Sequence, residues 1–337
     1  MKTKLTRALA TSVPCLLCAQ ILAAEETSRF IWEGEIEIGF QSIFDSDVAA
    51  NEVDDPYIIG EFAAEYALTD TVALFGGLTF EEMNGPDSGI NDVGLYIHEL
   101  GATFSAGQAT YLIGKFGPAF GASWDEAAGF FGGMVAEDYE LTEMLGGAID
   151  YELASGGVIS FSLFFADNTF LSESAFYNRG RNSTSAGGAG NTGKLNNFAV
   201  QWTQEFGATR VLAGARFLSA GTGDAKDETG LVFGLGHSFD NGLDFWGEVA
   251  AFDGFGGSTD DALYTTLNLA YAIGDATTLS GTYVHRDLDS SGTMDGVSVA
   301  LEYELENGVT LGGALATTKE AGVRDNLIGL NVVIPLG

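Results

Sequence analysis

Arg29-Phe30-Ile31-Trp32-Glu33-Gly34-Glu35-Ile36-Glu37-Ile38-Gly39-Phe40-Gln41 is the stretch whose reading decides the fold. On an extended chain Phe30, Trp32, Gly34, Ile36, Ile38 and Phe40 share one face. Ile31, Glu33, Glu35, Glu37, Gly39 and Gln41 share the other. A period of two separates apolar from charged side chains here, whereas a helical period mixes them, so the stretch reads as a strand. Residues 295–305 repeat the pattern, with Val297, Val299, Leu301, Tyr303 and Leu305 opposing Ser298, Ala300, Glu302 and Glu304.

Working outward, the same alternation predicts sixteen strands, over 29–44, 57–68, 71–81, 93–105, 108–117, 142–153, 157–167, 195–206, 208–219, 229–239, 242–252, 262–273, 276–286, 295–305, 308–318 and 325–336. After even-numbered strands the connections are tight: Thr69-Asp70, Ala106-Gly107, Ser155-Gly156, Gly207-Ala208, Asp240-Asn241, Gly274-Asp275 and Asn307-Gly308, all turn formers in hairpin positions. After odd-numbered strands they are longer and polar, over 45–56, 82–92, 118–141, 168–194, 220–228, 253–261, 287–294 and 319–324. An aromatic of the apolar phase precedes each tight turn: Tyr66, Phe104, Tyr151, Phe206, Phe239, Tyr271 and Tyr303. That is one ring per hairpin on a single rim, where amphipathic rings favour a membrane interface. Pro56, Pro86 and Pro118 fall in predicted loops, Pro14 near the start and Pro335 at the chain end, so none interrupts a central strand. The Gly/Ser/Asn-rich run from Asn182 to Lys194 reads as a mobile surface loop, because hairpins continue in phase beyond it.

Composition excludes several classes. The chain has 337 residues, 14 Lys+Arg against 47 Asp+Glu and a net charge of −33, yet its mean hydropathy is +0.14. With 46% hydrophobic residues it is no disordered acidic tail, and its charge repels the phosphates of nucleic acid. Residues 1–24 read as a secretory signal peptide, with Lys2, Lys4 and Arg7, an apolar run from Ala8 to Leu22, and Ala23-Ala24 before Glu25. Residues 25–337 then form one barrel domain. Both cysteines, Cys15 and Cys18, lie in that leader, which leaves the processed chain without a thiol or disulfide.

Sixteen strands enclose too wide a space for side chains to fill. The apolar face (Ile36, Leu74, Ile149, Phe161, Leu267, Leu301 and their neighbours) therefore points to lipid and the polar face to a water-filled lumen. An all-β transmembrane antiparallel barrel with short periplasmic turns and long extracellular loops is the expected fold. Gly114-Lys115-Phe116-Gly117-Pro118-Ala119-Phe120-Gly121, with the sixteen-strand rhythm and the rim aromatics, resembles the Gram-negative outer-membrane porins, where the fifth strand runs into the long third loop. The resemblance covers the processed chain as a pattern. It implies that 118–141 folds inward as a constriction loop, that the protein is a homotrimer in outer-membrane lipid and lipopolysaccharide, and that it passes small hydrophilic solutes and ions. Two features depart from the family: the chain ends Ile334-Pro335-Leu336-Gly337 rather than in an aromatic, and the basic ladder facing the loop is thin.

The loop carries Asp125, Glu126, Glu137, Asp138 and Glu140. Opposing them, Arg210 and Arg216 share the lumen face of one strand, and Arg286 stands on another, while Lys115 is ambiguous in phase. Acids and bases on facing walls would set up a transverse field. Alternatively, the arginines only neutralise adjacent carboxylates. Strand acids facing the lumen are Glu33, Glu35, Glu37, Glu61, Glu65, Glu99, Asp150, Glu152, Glu205, Asp244, Glu248, Glu302 and Glu304, against three arginines, and rings of carboxylates favour cations. Asp287, Asp289, Ser291 and Asp295 partly match a calcium loop, but Ser298 stands at the twelfth position where Glu belongs, which favours a plain acidic surface loop. No other metal or cofactor is expected. His98, His237 and His285 phase toward lipid or a rim, so the chain does not read as an enzyme. The expected function is a passive, cation-preferring diffusion channel. A porin selective for one small solute, or a secreted β-rich binding or adhesive protein, are the alternatives.

Overall fold

The computed structural model describes residues 29–84 and 89–337, so the expected leader 1–24 and Pro86 lie outside the described residues. Sixteen strands build the wall: β1 (Phe30–Ser46), β2 (Val53–Ala67), β3 (Val72–Glu82), β4 (Val93–Ala106), β5 (Ala109–Phe116), β6 (Met144–Glu152), β7 (Val158–Ala166) and β8 (Asn197–Phe206) form the first half. The second half is β9 (Thr209–Leu218), β10 (Glu228–Ser238), β11 (Leu243–Asp253), β12 (Asp261–Ile273), β13 (Thr277–Leu288), β14 (Gly292–Glu304), β15 (Thr310–Glu320) and β16 (Val323–Leu336). Each strand pairs antiparallel with its neighbours in sequence. β1 also pairs with β16, from Gly34 opposite Leu336 to Ser46 opposite Asp325, and this closes the barrel. Closure satisfies every edge, the condition for a sheet in hydrocarbon. The start of β1 at Phe30 and the end of β16 at Leu336 lie on the rim of tight turns.

The two faces sort as the alternation demands. Leu74, Ile149, Phe161, Leu267 and Leu301 are exposed on the outside, and so are all seven rim aromatics. A continuous apolar exterior of this kind marks a lipid-facing surface.

Pro56, expected in the 45–56 loop, lies in a strand instead, while Pro335 falls within the last strand as expected. Pro56 lies inside β2, opposite Phe40, and Pro335 lies inside β16, opposite Glu35. β3 joins β2 only from Gly60, and β15 joins β16 only up to Val333, so each proline stands where its strand has a neighbour on one side. There the missing N–H interrupts no second ladder. The Asn182–Lys194 run carries its own hydrogen bonds: the Asn191 amide donates to Asn182, Ser183 and Gly187, and the Asn182 amide donates to Asp167.

The barrel is not hollow. Residues between β5 and β6 turn into it and pack on the wall of β8 to β16. Phe120, Trp124, Val135 and Tyr139 join Trp246, Phe252 and Tyr264 in one buried cluster. Phe131 joins Ile43, Ala300, Ala314, Ala316 and Leu327 in another. Small wall residues make the room: a Cβ at Gly329 would strike the Phe130 ring.

Candidate pore constriction

Gly114, at φ +148°, lets β5 turn just before it leaves the wall, and a Cβ there would meet the β4 backbone. The chain then crosses the lumen as a loop with one short helix, α1 (Ser123–Glu126), and a 3₁₀ turn at Glu137–Tyr139.

Wall side chains hold this loop through its backbone. The buried Glu248 carboxylate accepts from Ala122 N at 2.8 Å, Ser123 N at 3.3 Å and the Tyr139 hydroxyl at 2.6 Å. It thus ties the outgoing and returning passes of the loop to β11. Gln201 Oε1 accepts from Gly121 N at 2.7 Å, and the Asn268 amide donates to the Ala128 carbonyl at 2.9 Å. Trp246 Nε1 donates to Ser123 Oγ at 2.9 Å. Arg216 lies between the Phe120 and Phe252 rings, 4.6 Å from each centroid, pairs with Glu228 at 2.7 Å and donates to the Tyr139 carbonyl.

The other two lumen arginines reach the loop's acids. Arg210 contacts Glu126 at 3.2 Å and Asp244 at 2.8 Å. Arg286 contacts Asp138 at 2.9 Å and Glu320 at 2.5 Å. Asp125 and Asp138 are exposed, while Glu126, Glu137 and Glu140 are half-buried. Burial, with Asp125 adding repulsion, pushes the Glu140 carboxyl up to about 7. Burial also raises Glu126, against the opposing pull of Arg210.

Charge is segregated around the lumen. Apart from Lys115, β1 to β8 carry no lysine or arginine, and all three lumen arginines stand on β9 and β13, each in an ion pair. Lys115, ambiguous in phase from sequence, is fully buried against Glu143 at 2.7 Å and Asp167 at 3.0 Å.

The four residues of the partial calcium match are not gathered around one point. β13 runs to Leu288 and β14 begins at Gly292, so they span a tight hairpin rather than a twelve-residue loop. Asp295 accepts from the Tyr283 hydroxyl at 2.7 Å and contacts His285 Nδ1 at 2.9 Å, while Asp289 accepts from Asp261 N. Among the described residues no group of three or more His, Cys, Asp or Glu is placed to hold a metal ion.

Sequence reasoning missed the anchors. Glu248 was one wall acid among thirteen, and Gln201 one polar wall residue. Only their partners on the inserted loop distinguish them.

No family model matches the chain, and no curated protein matches it. Solved structures do. The anion-selective porin from Comamonas acidovorans superposes with a TM-score of 0.63 at 13% identity, over 91% of this chain and 99% of that one. Pseudomonas putida OprB, in its high-pH structure, gives 0.69 at 8%, over 91% and 94%. A variant of the Rh. blastica porin gives 0.59 at 16%, over 91% and 100%. At these identities the likeness establishes the porin fold, a sixteen-stranded closed barrel.

Proposed function

We propose that this chain is a passive, water-filled channel in a Gram-negative outer membrane, non-enzymatic and cation-preferring, reached by export of a chain cleaved near residue 24. Its surroundings are outer-membrane lipid and lipopolysaccharide, its cargo is ions and small hydrophilic solutes, and its assembly is a homotrimer. One observation carries the reading: the 118–141 loop is seated inside the barrel with acids at its edge, while every lumen arginine is already in an ion pair. Paired arginines offer little net attraction to an anion. The strands β1 to β8 carry many acids and one cation, the buried Lys115, and Arg179 beside them is paired with Glu143, so cations gain the higher local concentration. The solved neighbours leave the sign of selectivity to this chain's own charges.

The test is a planar bilayer with a KCl gradient. The reversal potential should carry the sign of a cation-selective pore and grow as salt falls, because wall charges are screened beyond about 8 Å at physiological salt. Neutralising Asp125, Glu126, Glu137 and Asp138 together should reduce it more than neutralising Glu33, Glu35 and Glu37. An anion-selective potential would overturn the preference and turn attention to a porin selective for one solute.

The preference should also depend on pH. Glu140 titrates near 7, so raising the pH through that value adds a negative charge at the loop and lowering it removes one. Cation selectivity should therefore increase between about pH 6 and about pH 8, a range in which ordinary carboxylates are already ionised. Glu140→Gln should flatten that step, and an equal step in E140Q would assign the titration elsewhere.

A further inference from the structure

When β5 leaves the wall at Phe116, the upper part of β4 loses its neighbour: β5 pairs with β4 only from Leu100 opposite Lys115 down to the tight turn. The 167–182 segment, part of the loop between β7 and β8, fills that breach. Ala175 and Phe176 pair with Leu95 and Gly94 of β4, and Tyr177 N donates to the Val93 carbonyl.

Behind this patch lies a cluster that joins both roots of the constriction loop. Lys115, just before the loop, donates to Glu143 at 2.7 Å and to the Leu171 carbonyl at 2.9 Å, and forms an ion pair with Asp167 at 3.0 Å. Glu143, just after the loop, also takes a two-pronged contact from Arg179, at 2.8 and 2.5 Å. Arg179 in turn donates to the Ser172 carbonyl at 2.8 Å and lies 3.9 Å over the Tyr96 ring, whose hydroxyl donates to Glu81. Glu143 has φ +54°, a left-handed conformation that a non-glycine residue keeps only where its surroundings impose it. A carboxylate shared by two cations is such an imposition, and the Glu143 carbonyl, accepting from Asp167 N at 3.0 Å, adds a third hold.

We infer that Glu143, Lys115 and Arg179 are positioning residues for the pore: they bolt the entry and exit of the constriction loop to each other and to the 167–182 segment, which acts as a strap across the breach in the wall. The inference rests on the reading of 118–141 as the constriction. Gln201, Glu248 and Asn268 hold that loop at Gly121–Ser123, Ala128 and Tyr139 from β8, β11 and β12, so the strap governs how far its base sways rather than whether it enters the barrel.

Single-channel recording tests this. Arg179 is partly exposed and outside the wall ladder, so Arg179→Ala should still assemble, with the heat-modifiable mobility of a closed barrel. Its open-channel noise and the spread of its unit conductance should rise roughly twofold, since a loop freed at one root samples more positions. Arg179→Lys, which keeps the charge but not the fork, should fall between, and Lys115→Met should reproduce or exceed the Arg179→Ala behaviour. Wild-type noise and conductance spread in both R179A and K115M would overturn the strap. A wild-type protein that forms no channels would instead overturn the functional reading beneath it.

Discussion

Leu267→Arg and Leu301→Arg are each expected to destabilise the barrel by about 2–4 kcal/mol where the side chain meets the bilayer midplane. Both leucines are exposed on the outer face of adjacent hairpins, within the apolar exterior of the wall. Urea unfolding from lipid vesicles measures the cost. The control must face open lumen. Asn268 and Ser298 have the right phase, yet they are buried: Asn268 donates to the loop at Ala128 and to Thr282, and so neither position faces bulk water. Ser160 on β7 has the lumen phase, is only half-buried, and stands between Asp150 on β6 and Gln201 on β8. Ser160→Arg gains a carboxylate partner and should stay within about 0.5 kcal/mol. Equal losses at Leu267 and Ser160 would mean that the two faces have been assigned the wrong way round.

Glu248→Ala should have the largest effect on conduction. It leaves Ala122 N, Ser123 N and the Tyr139 hydroxyl without their shared acceptor, and each hydrogen bond to a charged group contributes about 1.5–3 kcal/mol. Both passes of the loop then lose one anchor at the same place. Loss of a lumen carboxylate by itself lowers cation current, whereas release of the loop raises it, so the two consequences have opposite signs. Unit conductance in KCl should rise in E248A. In E248Q, which keeps one of the two accepting oxygens and removes the charge, it should change little or fall. A fall in both variants would show that the loop holds its place without Glu248 and that only charge was lost.

The wall was legible because its physics is local. Lipid on one side and water on the other impose a period of two on every strand, and the requirement for tight turns on one rim alone imposes the long–short rhythm. All sixteen strands follow from those two constraints. What escaped the pattern is what local phase does not control. Bulges between Ile43 and Asp45 and at Gly77–Leu78 shift register by a residue that no alternation marks. The φ of Gly114 breaks the phase of β5, which is why Lys115 had no readable side until its partners Glu143 and Asp167 were in view. Pro56 looked like a loop residue because its strand extends beyond one neighbour but not the other. The inward course of 118–141 was readable only through resemblance, and its anchors on β8, β11 and β12 lie up to 140 residues away in sequence.

The pairing of β1 with β16 has a kinetic meaning. Every other pairing among the sixteen wall strands joins consecutive strands, so hairpins can form one after another as the chain becomes available. The seam alone links residues about 300 positions apart, Gly34 with Leu336. Closing it carries the greatest loop entropy of any contact in the wall, and it cannot begin before the final strand exists. Until that moment the growing sheet has two naked edges, one at each end of the polypeptide, and both are templates for a wrong partner. The free edge of the first strand, the one not paired with β2, must therefore stay unpaired until the last strand arrives, and the meeting of the two is expected to be the late step of folding.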